Sequence, residues 1–146
     1  MWRSDVPRRA WRIEVPVDTA LNLNETLHKR VKSARIQQIR EAARVAALRA
    51  GIPRLGSFTA ELHFIPTTRQ RRDPENWTPT SKAIVDGLIL AGVADDDSPA
   101  YFTPRTPVMD PPQRYFDGCR YYVIVTDGTL HTCTVPGCPH TEEIIA

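Results

Sequence analysis

Apolar and polar residues alternate along three stretches of the chain, and this period of two is typical of β-strands with one buried face. The clearest is 57–65, where one side carries Phe58, Ala60, Leu62 and Phe64. Residues 12–17 and 120–126 alternate in the same way, and 101–103 predict a further short strand. Pro16 favours an edge position or a strand end, because proline cannot donate to a sheet ladder.

Two other stretches repeat apolar residues every three or four positions, which predicts amphipathic helices. The first is 33–50, ended by the Gly51-Ile52-Pro53 sequence. The second begins after Thr78-Pro79, which reads as an N-cap followed by proline at the first helical position. It extends to about Ala91, where Gly92 is a natural stop.

The elements predict an α/β (α+β) fold in the order β-α-β-α-β-β, with two main helices packed on one small mixed sheet. The 146 residues are enough for one domain with a real core. We assign it to residues 1–128 and treat 129–146 as a C-terminal tail. Residues 104–117, rich in proline, predict a loop.

The net charge of +2 conceals an asymmetry between the two halves. Residues 1–72 carry 15 Lys/Arg against 6 Asp/Glu, a net charge of +9, whereas residues 73–146 carry 4 against 11, a net charge of −7. A basic surface beside an acidic centre suits a protein that binds a polyanion around a metal ion. Two separately solvated charged faces are the alternative.

Three cysteines, an odd number, do not indicate a disulfide framework. The first ten residues are polar and basic and do not resemble a signal peptide. The longest apolar run, 83–94, contains Asp86 and is too short to span a bilayer. These features predict a cytoplasmic protein without a membrane partner, located in the host cytoplasm if the gene belongs to a phage.

The candidate chemistry lies in residues 71–76, Arg-Arg-Asp-Pro-Glu-Asn, and in the Asp triplet 95–97 that follows the second helix. On an extended backbone, Asp73 and Glu75 project to the same side. A third carboxylate from the triplet would complete an all-oxygen site for a hard divalent cation such as Mg²⁺.

These residues resemble the RusA family of Holliday-junction resolvases, small metal-dependent endodeoxyribonucleases common in phages and prophages. The resemblance covers about residues 11–126. Its pattern is carried by Asp73, Glu75 and Asn76, then Lys82 and Asp86 on a helix ending in Ala91-Gly92, then Asp96-Asp97. The chain departs from the pattern in two places, with Glu75 where the best-known member has Asp and about three extra residues between Asn76 and Lys82.

The resemblance implies a homodimer that resolves branched DNA, above all four-way junctions, by paired symmetric nicks in recombination and repair. It places the metal ligands, for Mg²⁺ or Mn²⁺, on Asp73, Glu75 and Asp97, with Asp96 as a possible replacement. The active-site lysine falls on Lys82. Such a lysine stabilises charge that grows on phosphoryl oxygens, whereas a helix salt bridge with Asp86 is the plainer reading of Lys82.

Basic residues that could contact DNA phosphates lie in two groups. One group precedes the clearest helical periodicity and the other precedes the acidic motif: Lys29, Arg30, Lys32 and Arg35, then Arg69, Arg71 and Arg72. An ordinary solvated helix face is the alternative for the first group. His63 is interpreted as a surface strand residue, because no partner for it is apparent in the sequence.

The tail places four potential zinc ligands within ten residues: His131, Cys133, Cys138 and His140. A plain tail with reduced cysteines is the alternative. Two other functions compete with the nuclease. One is a non-catalytic DNA-binding protein with a zinc-binding tail, and the other is a Mg²⁺-dependent phosphohydrolase for small substrates. The 15 Lys/Arg of residues 1–72 favour a larger polyanion over a small substrate.

Overall fold

The computed structural model describes residues 9–16, 28–69, 72–116 and 119–128. They form one mixed five-stranded sheet and two main helices, which confirms the predicted α/β (α+β) class. The helices are α1 (Lys29–Ala50) and α2 (Thr78–Leu90), and a short 3-10 helix (Pro74–Trp77) leads into α2. The strands are β1 (Ala10–Glu14), β2 (Phe58–Phe64), β3 (Phe102–Pro104), β4 (Val108–Met109) and β5 (Tyr121–Asp127).

The sheet is built around β2, the strand with the cleanest alternation in the sequence. On one side β2 pairs antiparallel with β5, and β5 in turn pairs antiparallel with β1. On the other side β2 pairs in parallel with both β3 and β4. Strand β1 is therefore an edge strand, in agreement with the position that Pro16 predicts.

Both helices contribute to a single hydrophobic core on one face of the sheet. Leu62 and Ile13 both lie opposite Val123 in the strand register, so the three side chains share that face. They pack in one buried cluster with Ile39 of α1 and Leu88 of α2. Alternate apolar residues of the central strand β2 are thus removed from water, and burial of apolar surface is the main favourable term in folding.

Both helices end where the sequence predicts, and the cause is a glycine in each case. Gly51 has φ 67° and donates its backbone N–H to the carbonyls of Ala47 and Leu48, a left-handed cap that residues with a Cβ adopt at a cost. Gly92 follows α2 with φ 86°. The chain can turn sharply at both points and return to the sheet.

Strand β1 spans Ala10–Glu14 where 12–17 was predicted, and three further features differ from the sequence prediction. Helix α1 begins at Lys29, four residues before the predicted start at Ser33, because its first turn is polar and shows no apolar period. Strand β4 lies inside the predicted loop 104–117, since two paired residues are too few to show alternation. Trp77 rather than Thr78 is the N-cap of α2, and Thr78 is its first helical residue.

The two helices approach closely at Gly87. A Cβ at this position would collide with the backbone carbonyl oxygen of Arg40 and would lie 2.8 Å from the Cβ of Ala43. Glycine is therefore required where α1 and α2 cross. Neither helix, within the part of the chain that the structure describes, is long and apolar enough to cross a membrane.

Candidate functional site

The acidic motif lies in the turn that leads into α2. Asp73 has an extended backbone conformation and caps the 3-10 helix, its Oδ1 accepting a hydrogen bond from the backbone N–H of Glu75 at 3.1 Å. Pro74 occupies the first helical position, where a missing N–H costs nothing. Thr78 closes the turn by donating its hydroxyl to the carbonyl of Glu75 at 2.7 Å.

This turn corrects the expectation that Asp73 and Glu75 share one side of an extended backbone. Glu75 belongs to the 3-10 helix, which has three residues per turn, so side chains two positions apart project in different directions. The local signal was Asp-Pro, which favours a cap followed by a helical start as readily as a strand. Both side chains are exposed.

The Asp triplet after α2 is divided among three different tasks. Asp95 forms an ion pair with Arg54. Asp96 accepts a hydrogen bond from the backbone N–H of Asp97 at 2.8 Å. Asp97 alone turns back to α2, where its Oδ2 receives a hydrogen bond from Lys82. Three consecutive aspartates thus have three different partners.

Lys82 lies on the second turn of α2 and holds two carboxylates at once. Its Nζ donates to Asp86 Oδ1 at 3.0 Å and to Asp97 Oδ2. The bond with Asp97, and secondly that with Asp86, raises the pKa of Lys82 above its usual value. The bond from Lys82 in turn lowers the pKa of the Asp97 carboxyl. Both groups are therefore charged throughout the neutral range.

Asp86 extends this cluster to the first helix. Its Oδ2 lies 3.8 Å from a guanidinium nitrogen of Arg40 on α1, while Oδ1 accepts from Lys82. The helix salt bridge between Lys82 and Asp86, which was the alternative interpretation of Lys82, is therefore present together with the Asp97 contact. A chain of alternating charges consequently joins α1, α2 and the turn after α2.

The predicted metal ligands do not form a metal centre in this arrangement. Among the described residues, no three His, Cys, Asp or Glu side chains are gathered so that they could hold an ion. Asp97 is engaged by the Lys82 ammonium, and Asp73 uses one oxygen as a helix cap. Asp73, Glu75 and Asp97 have the oxygen donors that Mg²⁺ prefers, and in the described arrangement these three carboxylates are not gathered around one point.

The predicted DNA-contacting residues lie in two places. Lys29, Arg30 and Lys32 are exposed in the first turn of α1, a helix with no acidic residue in that turn. Arg35 follows on the same helix and is half-buried. Cations at a helix N-terminus oppose the helix dipole, so this turn has a local excess of positive potential that suits an anion.

The second basic group lines a cleft of about 420 Å³ between the segment after β2 and the segment after β4. Arg69 and Arg72 lie on one side of it, and Asp110 lies on the other. Arg72 is fixed by hydrogen bonds to the carbonyl oxygen and hydroxyl of Thr68, at 3.0 and 3.2 Å. Arg71 and the four candidate zinc ligands of the tail lie outside the described residues.

A polar cluster that was not predicted surrounds His63 on the sheet face opposite the helices. His63 Nδ1 lies 2.8 Å from Asp110 Oδ1, and Nε2 lies 2.7 Å from Glu61 Oε1. The His63 ring stacks on the Tyr122 ring with 4.7 Å between centroids. The guanidinium carbon of Arg12 lies over the same Tyr122 ring, 3.9 Å from its centroid. His63 lies on strand β2, as predicted, but its side chain is only 15% exposed and has the partners that were not apparent in the sequence.

Tyr122 completes this cluster by donating its hydroxyl to Asp110 Oδ2. Burial, and secondly the Asp110 carboxylate, raises the pKa of Tyr122 to about 12. Only the Glu61–His63 spacing of two on one strand face was readable from the sequence. Asp110 follows β4, and its approach to β2 depends on strand pairing that has no local signal.

The two carboxylates of this cluster approach opposite sides of the imidazole ring, so they do not converge on one point. The cluster therefore holds the segment after β4 against the sheet and does not resemble a metal centre.

No protein-family model matches the chain, and a search among curated proteins finds no significant match.

Proposed function

We propose that the chain is a metal-dependent endodeoxyribonuclease that cleaves branched DNA, with four-way junctions as its substrate class. The observation that carries the proposal is the contact between Lys82 and Asp97. Two residues that the RusA-like pattern assigns to one active site are 15 positions apart, and they touch. The turn carrying Asp73 and Glu75 leads directly into the helix that bears Lys82.

The positive surfaces support a polyanionic substrate over a small one. Arg69 and Arg72, which line the cleft, come shortly before Asp73 in the chain. A second group of basic residues lies in the first turn of α1. Basic side chains next to a catalytic centre attract the phosphate backbone and orient it, with affinity that falls steeply as salt rises. A small phosphorylated substrate needs no such extended surface.

The proposal includes Mg²⁺ or Mn²⁺ held by Asp73, Glu75 and Asp97. This requires a rearrangement, because the described geometry leaves Asp97 bound to Lys82. The proposal also includes a homodimer, since two equivalent sites related by a two-fold axis can nick two strands symmetrically. The proposed compartment is the cytoplasm, which is that of the host if the gene belongs to a phage.

The Asp triplet offers a matched pair of variants for the test. Asp97→Asn removes the charge that faces Lys82, whereas Asp95→Asn removes the charge that faces Arg54. Purified protein is incubated with a four-way junction, a Y-shaped duplex and a linear duplex, with and without Mg²⁺. We expect Mg²⁺-dependent nicking of the branched substrates by wild type and Asp95→Asn, and background cleavage by Asp97→Asn.

A second function is favoured by the exposed basic residues in the first turn of α1, which can contact DNA phosphates without a metal ion. The chain would then bind branched DNA without cutting it. Junction binding by wild type and by Asp97→Asn, together with no cleavage by either protein in Mg²⁺ or Mn²⁺, would establish this alternative and overturn the nuclease.

A further inference from the structure

The outer edge of β1 carries backbone groups that no other strand among the described residues pairs with. On the inner side, the backbone N–H of Val15 donates to Tyr121 and the carbonyl of Arg9 accepts from Asp127. In an antiparallel ladder such paired positions recur at every second residue. The backbone N–H and C=O groups of the odd-numbered residues of β1 therefore point towards β5. The backbone N–H and C=O groups of Arg12 and Glu14 point outward, away from the sheet.

An exposed strand edge is a template for another strand. A second copy of β1 can pair with this edge only antiparallel if the two copies are related by a two-fold axis. Because the outward backbone groups belong to even-numbered residues, each hydrogen-bonded pair across the new interface must join two even-numbered residues, one from each copy. Three such registers place charged residues of β1 opposite each other: Arg12 against Arg12, Glu14 against Glu14, or Arg12 against Glu14.

Charge distinguishes these three registers. The first two place identical charges directly opposite each other, which is destabilising, and the third forms an opposite-charge pair twice because of the two-fold axis. Both side chains are exposed and lie on the sheet face away from the helices. In the favoured register Ile13 lies on the axis.

The surface beside this edge is also suited to a second copy. A groove of about 940 Å³ runs between β1 and α1, and its apolar lining includes Ile13, Ala42, Val45 and Ala46. A two-fold axis perpendicular to the sheet keeps the helices of both copies on one side. A partner strand paired at β1 would therefore bring its own copy of the groove next to this one and cover apolar surface of both.

We propose that two copies of the chain associate through β1, antiparallel about Ile13, so that Arg12 of each copy faces Glu14 of the other and the two sheets become continuous. The occupant of the groove is thus a second copy of this chain. The inference rests on the homodimer of the proposed function and adds the surface and register of its interface.

The test uses charge reversal in the full-length protein. Arg12→Glu and Glu14→Arg each turn the two opposite-charge pairs into like-charge pairs, so each weakens the dimer by about tenfold or more. The double variant Arg12→Glu/Glu14→Arg restores two opposite-charge pairs and returns the dissociation constant to within about threefold of wild type. Sedimentation equilibrium measures all four proteins, and circular dichroism checks their folding.

Arg105→Glu is the control, because it reverses an exposed charge far along the chain from β1. It should leave the dimer intact. A double variant as weak as the single variants would overturn the register, and a dimer indifferent to every substitution would overturn the interface while leaving the homodimer standing. A monomeric wild type would overturn both, whereas the cleavage comparison of Asp97→Asn with Asp95→Asn judges the nuclease separately.

Discussion

The ammonium group of Lys82 contacts the carboxylate of Asp97, 15 residues further along the chain. This contact holds the turn after α2 against the second turn of the same helix. Lys82 also binds Asp86, which lies near Arg40 of α1. In the candidate site, ion pairs therefore link two helices and a turn, and each ion pair can be removed separately by substitution.

The first prediction concerns the Lys82 ion pairs. Lys82→Met keeps the length of the side chain and removes its charge. We expect a loss of about 0.5–1 kcal/mol in the free energy of unfolding at neutral pH, because the Lys82 side chain is 61% exposed and water screens both pairs. Urea unfolding of wild type and variant measures the difference.

The pH dependence of that difference follows from the two pKa shifts. The lowered pKa of Asp97 gives a contribution that is present above its unfolded value, near about pH 4, and is lost as pH falls through the folded value. The raised pKa of Lys82 gives one that is present below about pH 10 and is lost as pH rises through the folded value. A difference that stays constant on acidification to about pH 3 would contradict the Asp97 contact.

The second prediction concerns the helix crossing. Gly87→Ala adds a methyl group that collides with the backbone of Arg40, which cannot move aside as a flexible side chain could. We expect a destabilisation of at least about 2 kcal/mol, even though alanine is the better helix former. Thermal unfolding followed by circular dichroism measures it.

Gly51→Ala provides the comparison for this substitution. Nothing lies within 4 Å of a Cβ at Gly51, so only its left-handed backbone opposes the change. That cost is about 1 kcal/mol. Equal losses for the two variants would show that the crossing is looser than described.

The third prediction concerns Tyr122. Its hydroxyl is buried and donates to Asp110, so its pKa is raised to about 12. Because the folded state favours the neutral phenol, the resulting stability is present below the unfolded pKa near about 10 and is lost as pH rises through the folded value. Ultraviolet absorbance during alkaline titration should show one tyrosine that ionises late.

Tyr122→Phe identifies that tyrosine and measures its bond. The late ionisation should disappear, and the free energy of unfolding should fall by about 1–2 kcal/mol because Asp110 loses a donor. If the late transition persists in the variant, the hydrogen bond with Asp110 is not its cause.

The fourth prediction separates two roles of Asp73. Asparagine retains an oxygen that can accept the hydrogen bond from Glu75, whereas alanine does not. We expect Asp73→Asn to keep near-native stability and Asp73→Ala to lose about 1 kcal/mol. Under the proposed function both variants lose junction cleavage and retain junction binding. Loss of binding by the stable Asn variant would contradict the proposed role of this carboxylate.

The fold class and most elements could be predicted from the sequence, because each depends on contacts between near neighbours in the chain. The alternation in β2 and the apolar period of α2 mark the faces that pack in the core. Gly51 and Gly92 mark helix ends because their backbone conformations are local properties. The polar first turn of α1 and the two-residue strand β4 were missed, since neither has enough residues to show a period.

The sequence by itself also determined which kinds of side chain are available for chemistry, namely the acidic motif, Lys82 and the Asp triplet. Only the tertiary structure decided their partners. It directed Asp97 to Lys82 and Asp95 to Arg54, brought Asp110 to His63, and made Gly87 indispensable. Each of these contacts joins residues from different elements, and its geometry depends on how helices pack and strands pair, which no short stretch of sequence encodes.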